Sequence, residues 1–237
     1  MVWSKADQSM VGQMLPSGIQ LGLSIPKQQL FLRPSNGKQR AEKILQGATL
    51  ADLLEWTRTT LAERFGANDI VLSVRDYDMP EHPVGSAGAV FESASPEAAT
   101  ELGRYYDNAD AVFSDFVPLR RPAPSTAIWP HHFDLGGIDI LDTDQPLEKA
   151  RQIGFGLSPG DSSYEEPYFY VTPWPIPAQA TLPSLAGLGH WHKEGFTGAI
   201  LLASNICSDG SGQQDQVVSF LRSAFAAGDE LIPEREN

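Results

Sequence analysis

Cysteine is nearly missing from this chain. Cys207 stands alone among 237 residues, which excludes an internal disulfide framework and fits a reducing compartment. It follows the apolar stretch 200–206, so the thiol is expected to be buried and inert. Basic residues are also scarce: 17 Lys and Arg face 30 Asp and Glu, for a formal charge of −13. A field of that sign repels phosphate backbones and anionic headgroups, so neither nucleic acid nor a membrane surface is an expected partner. No apolar run approaches the roughly 20 residues that a membrane helix needs. The first residues, Met1-Val-Trp-Ser-Lys-Ala-Asp-Gln8, lack the basic-then-apolar order of a secretory leader. The expectation is a soluble cytoplasmic protein. Gly-rich phosphate loops, Cys-x-x-Cys pairs and His-Glu-x-x-His helices are missing as well.

The local signals that are present describe an α+β chain. Residues 1–18 are polar, contain Gly and Pro, and read as an arm. Residues 21–25 and 29–33 read as the two strands of a hairpin-like unit. A helix is expected over 49–65, with Thr49 as N-cap, Asp52 in the first turn and Gly66 just past the end. Residues 70–77 then read as a strand that the prolines at 80 and 83 end. Ser95-Pro96-Glu97 opens a second helix, whose stripe Leu102, Tyr105, Tyr106, Ala109, Val112, Phe113 and Phe116 reads as core. In the second half, strands are expected over 128–141, 153–157, 168–172 and 196–204, followed by a helix over 213–227 that stops at Gly228.

Together these give an α+β fold, mainly antiparallel sheet packed by about three helices. The expected organisation is one compact domain of two lobes, about 19–117 and 128–228, joined by a Pro-rich linker at 118–127.

From residue 128 onward, several segments follow one another in a distinctive order. They are Phe133-Asp-Leu135, Gly154-Phe-Gly-Leu-Ser-Pro-Gly160, Glu166-Pro-Tyr-Phe-Tyr170 and a closing helix at 217–226. This order resembles a family of uncharacterised bacterial proteins known as a domain of unknown function. The first half fits more loosely, through Thr49-Leu-Ala-Asp-Leu-Leu54, Phe65-Gly66 and the 70–77 segment. The resemblance implies an α+β fold and no established activity, so it assigns no role to any residue here.

Four of the five histidines fall in two clusters, His131-His132 and His190-Trp191-His192. On strands, side chains alternate, so His190 and His192 share a face, and His132 shares one with Asp134. If those strands neighbour each other, His132, Asp134, His190 and His192 could hold a divalent metal such as Zn, Fe or Mn. Glu194 continues the alternation and is the candidate catalytic acid–base. The plainer reading of each histidine is a packed side chain bonded to a backbone carbonyl.

Aromatic residues concentrate among prolines in the second half. Trp129, Tyr164, Tyr168, Tyr170, Trp174 and Trp191 are candidate walls of a small-ligand pocket for a sugar, nucleobase or similar ring. The plainer reading there is edge protection of a sheet. Ser158-Pro159-Gly160-Asp161 reads as a type II turn, and His82, with Asp76 and Asp78, as part of a Pro-bracketed loop. Three functions follow: a small-ligand pocket of aromatic and histidine residues, a metal-dependent hydrolase or oxygenase, or a structural or interaction protein whose histidines pack.

Overall fold

The computed structural model describes residues 1–35, 40–73, 81–120, 123–177, 179–206 and 210–235. Cys207, Asp76 and Asp78 lie outside the described residues. The fold is α+β, with two antiparallel sheets of five and six strands. By its internal contacts the chain divides into two units, 1–107 and 108–237. Among the described residues no helix is long and apolar enough to cross a membrane.

In the first unit, β1 (Val2–Ser4), β2 (Ser9–Val11), β3 (Ile19–Ser24), β4 (Gln29–Pro34) and β5 (Ala41–Ile44) form a meander in sequence order. The expected polar arm is therefore wrong: β1 and β2 are sheet strands. Trp3 anchors them by stacking on Tyr106 at 4.9 Å and donating from Nε1 to Asp107 at 2.8 Å. Helix α1 (Leu50–Phe65) starts where a capping box demands: Thr49 accepts from the Asp52 N–H, and Asp52 accepts from the Thr49 N–H. It ends at left-handed Gly66. Its Leu61 joins Ile19, Leu32 and Ala41 in the core. The strand expected from residue 70 does not form over Ile70–Ser73, and 74–80 lie outside the described residues. A single turn, α2 (Pro83–Ser86), is capped by His82, whose Nδ1 accepts the Val84 N–H.

Helix α3 (Pro96–Phe116) begins as its Ser-Pro-Glu start dictates, with Ser95 Oγ accepting the Ala98 N–H. The division between the units falls within it. The second unit adds β6 (Thr126–Ile128), β7 (Leu135–Ile140), β8 (Gln152–Ser158), β9 (Tyr168–Trp174), β10 (His190–His192), β11 (Gly198–Leu202) and α4 (Gln213–Leu231). The strand order is β10-β11-β9-β8-β7-β6, antiparallel throughout.

Two expected boundaries fail here for identifiable reasons. The single strand at 128–141 is a hairpin, because Pro130-His-His turns the chain and Phe133 takes a left-handed φ of 59°. The last helix continues through Gly228 because that position is a contact, with the place of a Cβ only 3.1 Å from Ile153 Cδ1 and 3.3 Å from Pro173 Cβ.

One face of the six-stranded sheet is the helix side. There Phe155 and Phe169 meet Phe113 edge-on, at 5.4 and 6.0 Å, while Phe225 meets both Phe155 and Phe116. Strand alternation sends Tyr168, Tyr170, Thr172 and Trp174 to the opposite face. The register places Ser158, Gly156 and Gly154 beside them on β8, and Ile200 beside His190 on the far side of β9.

Candidate functional site

The face away from the helices carries a connected polar layer. Its floor depends on Gly156: a Cβ there would lie 2.6 Å from Tyr170 Oη, so only glycine lets the Tyr170 ring lie across β8. Tyr170 and Ser158 both act on the nearby Asp134 carboxyl, whose Oδ1 is buried without a hydrogen bond. Ser158 is fully buried, accepts the Gly160 N–H at 3.3 Å and lies close to the Tyr168 hydroxyl. Tyr168 donates to Asp161 Oδ2 at 2.7 Å, and Asp161 Oδ1 accepts the N–H groups of Ser163 and Tyr164. That Asx turn carries Tyr164 back over the sheet, 5.0 Å from the Tyr168 ring and within reach of both β10 histidines.

Tyr164 Oη lies 3.1 Å from His190 Nε2 and 2.9 Å from His192 Nδ1. The directions of these bonds can be derived. His192 Nε2 is 2.6 Å from the Glu194 carbonyl oxygen, which can only accept, so Nε2 carries the hydrogen. In the neutral ring Nδ1 is then the acceptor and takes the Tyr164 O–H. The Tyr164 oxygen, its own hydrogen spent, accepts His190 Nε2–H. The chain thus runs from His190 through Tyr164 to His192 and ends on a backbone carbonyl.

The two carboxylates of this layer are driven apart. Burial pushes the Asp134 carboxyl up, against the opposing pull of nearby Tyr170, His132 and Ser158, while the Asp161 charge adds to the rise. Burial also acts to raise Asp161, but bonds from Tyr168, Ser163 and Tyr164 outweigh it and hold that carboxyl below its usual range. Burial and the neighbouring carboxylates raise the Tyr164, Tyr168 and Tyr170 hydroxyls, which keeps all three as donors.

A groove of about 660 Å³ opens on the same face, lined by Ile138, Gln152, Gly154, Thr172, Trp174 and Phe196 among others. Its volume lies within the range of small-molecule sites. Phe196 joins the groove to the polar layer, because the His192 ring stacks on it at 4.3 Å and 27°.

The structure brings together some of the residues expected from sequence and separates others. His190 and His192 meet on Tyr164. His132 and Asp134 do not join them, since the 129–134 turn precedes β7, and three strands lie between β7 and β10. At about 4.8 Å per strand this separates the two elements by roughly 19 Å along the sheet. Among the described residues no three His, Cys, Asp or Glu side chains gather to hold a metal ion. The expected four-residue set for Zn, Fe or Mn therefore does not surround one point.

Glu194 does not extend the alternation of β10, which ends at His192. Its carbonyl serves the chain while its side chain is exposed. Of the aromatic candidates, Trp174 lines the groove, and Tyr168 and Tyr170 belong to the polar layer. Trp191 faces away from the histidines and donates to the Pro183 carbonyl. Trp129 sits on the β6–β7 turn, donating to the Gly136 carbonyl. Sequence reasoning counted Tyr164 among the aromatic residues without joining it to the histidines, and it missed Phe196, Thr172 and Gln152. A usable signal for Tyr164 was Asp161 just before it, whose carboxylate can take the N–H groups two and three residues on.

Compared with family models, with curated proteins and with solved structures, the chain matches none. A functional reading therefore rests on the site.

Proposed function

We propose that this is a small-ligand-binding protein of the cytoplasm, whose site is the groove at Trp174 and Phe196 together with the adjoining histidine–tyrosine layer. The observation that carries the reading is the stacking of His192 on Phe196, which makes aromatic groove and polar network one continuous surface. A shallow concavity with aromatic walls and a few oriented polar groups is the usual form of a small-molecule site. The −13 charge favours a small molecule over nucleic acid as partner. The same proposal includes membership of the bacterial family that the Phe-Asp-Leu, Pro-Gly and Glu-Pro segments resemble, which lends no reaction.

A fragment screen read by amide and indole NMR shifts tests the reading. Hits are expected to perturb Trp174, Thr172 and Phe196 first, and to lose that effect in Trp174→Ala. Hits that cluster elsewhere, or that bind Trp174→Ala unchanged, would sink it.

A further inference from the structure

We infer that the groove takes an uncharged pyranose ring, an inference that rests on the small-ligand reading above. Among the described residues, none of those lining the groove is charged. A charged ligand would give up its hydration there with no ion pair in return, and the acidic chain would further repel an anion. Two clefts in the first unit differ, one of 880 Å³ with Glu42, Lys43, Asp52 and Glu55 in its lining and one of 620 Å³ lined by Glu97, Glu101 and Arg104 among others. In the larger, Asp52 is spent on capping Thr49, and Glu55 on Arg58.

The groove instead is lined by neutral polar groups. Gln152 donates from Nε2 to the Leu147 carbonyl at 3.3 Å and leaves Oε1 buried without a hydrogen bond. Thr172 and Thr197 also line the groove, and their hydroxyls can each donate or accept. The Thr172 hydroxyl leans over Gly154, where a Cβ would come within 2.6 Å of it. Beside these groups Trp174 is 44 % exposed and Phe196 38 % exposed, large apolar areas for one open surface.

The required partner has an apolar face to cover an indole, hydroxyls that both donate and accept around its rim, and no charge. A pyranose has all three: its axial C–H groups form the apolar face, and its equatorial hydroxyls reach outward in the ring plane. A nucleobase has the flat face, but its edge presents fixed donors and acceptors, and as a nucleotide it carries phosphate.

The test titrates the full chain with methyl glucopyranosides, methyl galactopyranosides and N-acetylglucosamine, and in parallel with adenosine and uridine as uncharged planar probes. Readouts are the Trp174 indole signal, assigned with Trp174→Phe, and calorimetry. At least one pyranoside should give a saturable shift with millimolar or tighter affinity. Trp174→Ala should weaken it by about tenfold or more. Thr172→Val should weaken it severalfold, and Thr172→Ser should restore it. Unchanged melting curves separate these effects from misfolding, since Trp174 is exposed.

If the nucleosides bind with the same Trp174 dependence and no pyranoside does, the sugar assignment is overturned and the groove stands. If no probe binds and the fragment screen is also silent at Trp174, both readings fall.

Discussion

The His192 imidazole lies nearly flat on the Phe196 ring, with centroids 4.3 Å apart, while its two nitrogens are held by Tyr164 and the Glu194 carbonyl. One ring is thereby fixed on both its face and its edges. The tautomer of His192 and the shape of the groove are therefore linked.

The neutral form of His192 should carry its hydrogen on Nε2, and that of His190 likewise, as the Glu194 carbonyl requires. Long-range ¹H–¹⁵N spectra read this directly. Tyr164→Phe should leave His192 as the Nε2–H tautomer, release His190 from its constraint, and cost about 1 kcal/mol of stability. A His192 found as the Nδ1–H tautomer in the wild type would contradict the derived chain.

Asp134 should make stability fall as pH rises. Its folded carboxyl sits above the ordinary value of 3.8, so the neutral form favours the fold fully below 3.8, and that advantage is lost as pH climbs through the raised value. Asp134→Asn stays neutral throughout. Melting temperatures of the two proteins should converge at low pH and separate in favour of the variant toward neutrality.

Asp142 should act in the opposite sense. Side-chain and backbone hydrogen bonds from Arg151 lower its carboxyl to about 2. Its contribution is complete above 3.8 and disappears as pH falls toward 2. Asp142→Asn should be less stable at neutral pH and should lose less on acidification, which acid titration followed by circular dichroism will measure.

Gly156→Ala should break the floor of the polar layer. The new methyl would meet Tyr170 Oη at 2.6 Å and the Leu135 carbonyl oxygen at 2.9 Å. The Tyr170 ring must swing off β8 and away from Asp134, at an expected cost of about 1–3 kcal/mol in denaturant unfolding. A variant as stable as the wild type would mean that Tyr170 does not cross β8.

Much of this architecture is legible in short stretches of the chain. Thr49 with Asp52, Ser95 before Pro96, and Gly66 place helix ends, because a cap is a contact between residues at most a few positions apart. The alternation in His190-Trp191-His192 puts both imidazoles on one face for the same reason: the period of an extended strand is local. The 129–134 turn defeated that logic, since Phe133 pays for a left-handed conformation that its side chain alone would not predict.

The partners of those histidines are another matter. The pairing of β10 with β11 is a local hairpin, but nothing near β10 says that three strands separate it from β7, or that an Asx turn at Asp161 will return Tyr164 over the sheet. Strand order and loop return are non-local, set by how the whole second unit buries Phe155, Phe169 and Phe225 against its helices. Residues 190–192 alone were enough to bring two imidazoles together. The burial of a sheet whose strands run from residue 126 to 202 gave them a tyrosine and a phenylalanine, where local pattern had suggested a second histidine cluster and a metal.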